Sequence, residues 1–293
     1  LKNTWSEAPT AFNNPISIAV GPLNRLFGKR YYDLPGTLEV YQIVYQTGLV
    51  DGFEFQNLAE WDASTPPRDN ADSRLAAWRQ SQKYTTAQLA ASLRSTGCPI
   101  LSIHANRDAG ICLCSGEAAE ISQGMRLVEE SLELADKVEA SACVFHLWDT
   151  WKENFNPAFL VESLAQAACA YPHIKASVEN VPTHLPGATP FTLAREFEWL
   201  TLDLRFAAMY AELAEYETLR SQIANVHLSA QLDGGRFTLN PAWFPSAGLA
   251  LDFYEVLDLI RCGWQYNGPL TVELSGRPGD RWEDIQAALG TLK

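Results

Sequence analysis

The stretch Ile174-Lys-Ala-Ser-Val-Glu-Asn-Val181 is a short run with β-branched residues that delivers one carboxylate, Glu179, and stops at Pro182. Three later stretches end in the same way. Leu200–Leu204 delivers Asp203, Ile223–Leu228 delivers His227, and Pro269–Leu274 delivers Glu273. The steps between these four groups are 24, 24 and 46 residues. The first step is about what a strand, a crossover helix and two loops require. The repeated unit is therefore a strand that ends in a polar group, followed by a helix.

Working outward, Ile16–Val20, Gly52–Gln56, Pro99–His104 and Ala142–His146 are apolar or alternating runs that read as strands one to four. Helical spacing covers residues 37–46, 85–95, 117–140, 156–170, 191–199, 207–223, 251–263 and 282–289. The clearest case is 117–140, where Ile121, Met125, Val128, Leu132 and Ala135 form one stripe and Glu129, Glu130, Glu133 and Asp136 face away. Eight short, nearly continuous apolar strands suit a parallel sheet buried on both faces. Eight such βα units predict an α/β chain folded as a single (β/α)8 TIM barrel. An open doubly wound sheet has no Gly-x-Gly-x-x-Gly after strand one to support it. No linker divides residues 1–293, so one domain is expected, with an N-terminal arm at 1–15. Residues 57–84, which include Pro66-Pro67, and 232–250 read as long loops on the active-site face.

Composition narrows the function. With 47 % hydrophobic and 19 % charged residues the chain can bury a large core. The net charge of −13 repels phosphate backbones, and no basic cluster offsets it, which argues against nucleic acid as a partner. No run of about 18 apolar residues predicts a membrane span, and residues 1–14 carry no basic-then-apolar leader pattern. The six cysteines include no Cys-x-x-Cys pair, so reduced thiols and a cytoplasmic location are expected. Dimers are the commonest symmetric assembly, which makes a homodimer the default.

In a parallel barrel all strand C-termini open on one face, where catalytic groups gather. The groups arriving there are Glu54, His104, His146, Glu179, Asp203, His227 and Glu273. Taken singly, each is more simply a helix cap, a salt-bridge partner or a structural histidine. Taken together, four carboxylates and three imidazoles converging on one axis destabilise one another unless a cation or shared protons compensate. A divalent ion held by Glu179, Asp203, His227 and Glu273 resolves the conflict. Three oxygen donors and one nitrogen favour Mn²⁺, Mg²⁺ or Co²⁺, with Zn²⁺ compatible. Trp61, Trp148 and Trp151 lie in loops that should rim the same face, either stacking on a sugar or packing the loops down. Arg107, Arg205 and Arg277 lie just beyond strand ends, where they can grip a phosphate or hydroxyl or pair with surplus acids.

The motifs Ser102-Ile-His104, Val144-Phe-His146, Val178-Glu-Asn-Val181, Leu202-Asp203, Val226-His-Leu-Ser229 with Asp233-Gly-Gly-Arg236, and Val272-Glu-Leu274 occur in an order and spacing that resembles the xylose isomerase-like barrel superfamily. The resemblance covers roughly residues 16–289 and lies closest to the sugar or sugar phosphate isomerase/epimerase branch. It implies a cytoplasmic enzyme of carbohydrate metabolism. Glu179, Asp203, His227 and Glu273 would hold one divalent metal ion, and Glu179 and Glu273 would exchange the substrate proton through a metal-stabilised enediolate. Arg236 matches an arginine that binds a substrate oxygen. His104 and His146 match extra metal ligands of the related endonuclease IV-type enzymes. With Glu54 and Trp148, these three are assigned to substrate contact.

Two departures bear on the branch. Phe206 stands three residues after Asp203, where the family often has His. Gly235-Arg-Phe237 lacks the second imidazole that a trinuclear zinc endonuclease needs, which disfavours DNA repair. A metal-dependent lyase or dehydratase on a keto acid or polyol, and a non-catalytic carbohydrate-binding barrel, remain as alternatives.

Overall fold

The computed structural model of the chain describes residues 13–19, 21–68, 72–239, 251–274 and 279–293. Its strands are β1 (Ile16–Ala19), β2 (Gly52–Gln56), β3 (Ile100–His104), β4 (Ala142–Phe145), β5 (Lys175–Glu179), β6 (Trp199–Asp203), β7 (Ile223–Asp233), β8 (Arg236–Thr238) and β9 (Leu270–Leu274). All but β8 pair in parallel in chain order, and β9 pairs with both β7 and β1. The sheet thus closes into an eight-stranded barrel, as the eight apolar runs predict. β8 folds back antiparallel on β7 through Gly234-Gly235, both at positive φ.

The helices are α1 (Gly21–Leu26), α2 (Leu34–Tyr45), α3 (Asp72–Gln80), α4 (Thr86–Ser95), α5 (Asp108–Leu113), α6 (Ala118–Lys137), α7 (Pro157–Ala168), α8 (Pro190–Ala194), α9 (Leu204–Met209), α10 (Phe253–Asp258) and α11 (Trp282–Gly290). α6 buries Val128, Leu132 and Ala135, with Ile121 and Met125 packed at the edge of the core. α7 starts where Asn156 accepts the Phe159 N–H and Pro157 occupies the first turn. Strand residues that point outward, such as Ile18, Phe53, Phe145, Leu202 and Val272, are fully buried against this helical layer. Each such side chain contributes roughly 1.5–3 kcal/mol by leaving water.

Several elements differ from their sequence reading. Residues 57–84 are not one loop, since they hold a 3₁₀ turn at Ala59–Trp61 and then α3. The helix expected at 207–223 is broken. α9 stops at Met209, Ala211 takes φ 57°, and a 3₁₀ segment follows at Leu213–Gln222. The helix expected at 251–263 is α10 continued by a π turn at Leu259–Gly263. The 232–250 loop begins as the β7–β8 hairpin, and its residues 240–250 lie outside the described residues, as do 1–12 of the arm.

α5 is an addition that periodicity did not reveal, because six residues are too few to show a stripe. It carries Cys112, and Cys114 caps its end; both are buried. Gly110 lets it press on the end of β4, since a Cβ there would lie 2.3 Å from the His146 carbonyl oxygen. All six cysteines are free thiols. Among the described residues no helix is long and apolar enough to cross a membrane.

Candidate active site and metal centre

Side chains two residues apart on a strand share a face, so each inward strand end stacks a polar group above a smaller one. β5 presents Ser177 and then Glu179, β6 Thr201 and then Asp203, β7 Asn225 and then His227, and β9 Thr271 and then Glu273. The ligand atoms of Glu179, Asp203, His227 and Glu273 all lie within 4.8 Å of one another. Three of the four are buried, while the Glu273 side chain is 23 % exposed and opens toward solvent.

His227 is the centre of this cluster. Its Nε2 lies 3.1 Å from Glu54 Oε2, and its Nδ1 lies 3.3 Å from Glu179 Oε1 and 3.6 Å from Glu273 Oε1. Nδ1 is fully buried and makes no hydrogen bond. A carboxylate beside Nε2 fixes the ring and leaves Nδ1 facing the acids. This is the usual arrangement around a metal-bound histidine.

The electrostatics agree. Burial works against a charged His227, yet Glu54, Glu273 and Glu179 outweigh it and raise its pKa well above the ordinary value. Burial likewise opposes ionisation of Glu179, but His227, His146 and His104 hold it well below the carboxylate range. Asp203 is pushed up to about 6 by burial, only partly relieved by Arg205 and worsened by Glu179 and Glu273. Burial also raises Glu273, with His227 opposing and Glu179 adding to the rise. A cluster that keeps a proton on an imidazole among like charges can exchange that proton for a cation. Three oxygens and one bare imidazole nitrogen fit a divalent ion.

Local contacts position these groups. The Asn180 side chain accepts the Asp203 N–H at 2.6 Å and donates to the Asp203 carbonyl at 3.2 Å, which locks the end of β6. Asp203 Oδ1 accepts the Phe206 N–H at 2.8 Å and so caps α9, and Oδ2 accepts from Ser229. His146 Nε2 lies 2.7 Å from Glu179 Oε2, and His104 Nε2 lies 3.4 Å from the same atom. With Glu179, these two histidines form a second group compact enough to hold an ion.

Above the cluster a cavity of about 410 Å³ is lined by Gln56, His104, Arg107, His146, Glu179, Arg205, Phe206 and Glu273. Tyr31, Asn57, Glu60 and Arg74 also line it. Glu60 is buried and accepts from Tyr31 Oη at 2.9 Å and Arg74 Nε at 2.8 Å.

The structure corrects three assignments. Glu54 does not face the cavity. It is fully buried, with Oε2 receiving Ser102 Oγ at 2.7 Å and Asn225 Nδ2 at 3.0 Å besides His227. In register it pairs with Ser102, whereas Gln56 pairs with His104 and reaches the cavity. The sequence reading took a group one pleat step too deep. Trp148 is 2 % exposed and spends its indole N–H on the Pro182 carbonyl at 3.1 Å, so it packs its loop and cannot stack on a ligand. Arg236 lies on β8 with its guanidinium 4.5 Å from the Tyr254 ring centre, and it is not among the residues lining the cavity. Trp61 is buried with its N–H on Tyr32, and Trp151 is exposed against His184. Arg277 lies outside the described residues.

Sequence reading missed Gln56, Glu60, Arg74 and Tyr31 as cavity residues and Asn180 as the lock on Asp203. For Gln56 the signal was present, since it shares the inward face of β2 with Glu54. Glu60, Arg74 and Tyr31 come from segments whose placement no local pattern encodes.

No family sequence profile and no curated protein sequence matches the chain. Solved structures do match its fold. A D-allulose 3-epimerase from Methylomonas sp. is 13 % identical, with TM-score 0.62 over 97 % of this chain and 98 % of that one. A sugar phosphate isomerase/epimerase from Parabacteroides distasonis is 11 % identical, with TM-score 0.60 over 98 % and 97 %. A 3-keto-D-glucoside 4-epimerase from E. coli is 13 % identical, with TM-score 0.58 over 95 % and 98 %. The chain shares the (β/α)8 barrel fold of these structures.

Proposed function

We propose that this xylose isomerase-like barrel is a divalent-metal-dependent isomerase or epimerase of a sugar or sugar phosphate that works by proton transfer next to a carbonyl. The carrying observation is the buried, unbonded Nδ1 of His227 facing Glu179 and Glu273, with its ring fixed from behind by Glu54. Glu179, Asp203, His227 and Glu273 would hold the ion, with Mn²⁺, Mg²⁺ or Co²⁺ preferred by the donor set and Zn²⁺ compatible. The ion would supply Lewis acidity, polarising a substrate carbonyl and its neighbouring hydroxyl.

The rest of the chemistry belongs to side chains. Glu179 and Glu273 both line the cavity and stand on β5 and β9, three strands apart around the barrel. They approach a substrate from different walls, so one can remove a proton and the other return it on the opposite face. His146, hydrogen-bonded to Glu179, holds that carboxylate's orientation and links it to the cavity. Gln56 and Asn57 offer neutral amide groups suited to sugar hydroxyls. The names of the similar structures support this reading: one is a D-allulose 3-epimerase and another a sugar phosphate isomerase/epimerase.

The test is hydrogen exchange. Protein loaded with Mn²⁺ is incubated in D₂O with D-allulose, D-tagatose, D-fructose and their 6-phosphates, and the carbon beside the carbonyl is followed by NMR. Deuterium incorporation that chelation abolishes is the expected result. Tight Mn²⁺ binding without exchange into any of the six compounds would refute the proposal.

A further inference from the structure

Three arginines and three carboxylates, Glu60, Glu179 and Glu273, line the cavity. The chain as a whole is acidic, with net charge −13, yet Arg74, Arg107 and Arg205 all line this one cavity. Arg74 is accounted for by Glu60 at 2.8 Å and Asp108 at 3.8 Å. Arg205 stands beside Asp203, with its guanidinium 4.8 Å from the centre of the Phe206 ring, and both residues form the wall. Such a stack orients the planar fork.

Arg107 is different. It is exposed on the cavity side between β3 and α5, and it makes no hydrogen bond or ion pair with the described residues. An overall acidic field repels anions. Cations gathered at a single cavity are therefore informative about what enters it.

We infer that the substrate is an anionic sugar, carrying a phosphate or a carboxylate, with its charged end against Arg107 and Arg205 and its carbonyl end at Glu179 and Glu273. This rests on the isomerase reading above and narrows its substrate class. Phosphate and carboxylate both match the guanidinium fork through paired N–H···O bonds. Phe206 fits the same scheme: an apolar ring at that wall makes no hydrogen bond with a sugar hydroxyl, but it does hold the Arg205 plane.

The test uses Mn²⁺-loaded full-length protein and calorimetric titration with D-fructose, D-allulose and D-tagatose, each as the neutral ketose, its 6-phosphate and its 6-carboxylate. At least one charged form should bind about 10- to 100-fold tighter than its neutral parent, as charge-assisted hydrogen bonds imply. Whether phosphate or carboxylate wins identifies the source of the charge. Arg107→Met should remove at least tenfold of that gap while leaving neutral-ketose and Mn²⁺ affinity within twofold. Arg205→Met provides a second variant. Equal binding of neutral and charged forms, or a gap untouched by both substitutions, overturns the inference and leaves the isomerase reading standing. Failure of all nine compounds to bind removes the sugar reading and the inference together.

Discussion

Two levels of the barrel interior, one pleat step apart on the same strands, solve the problem of buried polar groups in opposite ways. At the lower level Ser177 Oγ bonds Thr201 Oγ1 at 2.7 Å, Thr271 Oγ1 donates to Asn225 at 2.9 Å, and Asn225 and Ser102 donate to Glu54. These side chains bond to one another within the chain, while Glu54 Oε1 and Ser17 Oγ make no hydrogen bond. At the upper level Glu179, Asp203, His227 and Glu273 crowd together, with two acids and one imidazole pushed to higher pKa by their surroundings and one buried nitrogen unbonded. The lower level is a structural network, whereas the upper level is the donor set proposed to hold an ion. Glu54 joins the two, because it belongs to the lower network and orients a ligand of the upper one.

The largest effect should come from the upper level. Glu179→Gln removes an ionised ligand and the proposed base, so Mn²⁺ affinity should fall more than 100-fold and substrate deuterium exchange at least about 1,000-fold, a loss of about 4 kcal/mol. Calorimetry and NMR exchange measure the two, and circular dichroism should remain that of the parent. Unchanged Mn²⁺ affinity would mean that the upper level does not need a cation.

Next comes pH. Asp203 has a folded pKa near 6, above its unfolded value near 3.9, so the folded apo protein binds its proton more tightly. That contribution to stability is complete below pH 4 and is lost as pH rises through 6. Relative to Asp203→Asn, the apo parent should lose on the order of 3 kcal/mol between pH 4 and pH 7, read from denaturant unfolding at each pH. Bound Mn²⁺ should flatten the difference, since it compensates the ionised acid. A pH-independent difference would show that Asp203 is not strained by its neighbours.

Glu54→Gln probes the link between levels. Metal affinity should fall about 10- to 100-fold, the usual cost of losing the carboxylate behind a ligating histidine. The ¹⁵N shifts of His227 should show a less uniform tautomer, a readout that simple packing would not move. The smallest effect belongs to the lower level. Ser177→Ala leaves Thr201 short of a partner, for about 1 kcal/mol of destabilisation by urea unfolding, with Mn²⁺ affinity within twofold of the parent. A tenfold change in affinity there would merge the two levels into one network.

Much of this was legible in order along the chain. The strand runs, their polar ends and the alternation with helices all rest on local patterns, hydrophobic periodicity and strand length, and these yielded the barrel and the four converging groups. Where the reading slipped, the physics was not local. Ala211 breaks a helix that spacing alone would continue, and α5 is too short to leave a stripe. Glu54 and Gln56 share one face of β2, and only the register against β3 decides which of them reaches the cavity.

By itself, then, the sequence determined the fold class, the level at which carboxylates and imidazoles gather, and the donor types they offer, because strand periodicity and side-chain chemistry are properties of neighbouring residues. The tertiary structure decided the rest. It placed Trp148 in the loop packing and Arg236 on the hairpin, and it turned Glu54 from a ligand contact into the support of His227. It also brought Arg74, Arg107 and Arg205 to one cavity from segments far apart in the chain. Barrel closure and strand register set those distances, and no run of adjacent residues encodes either.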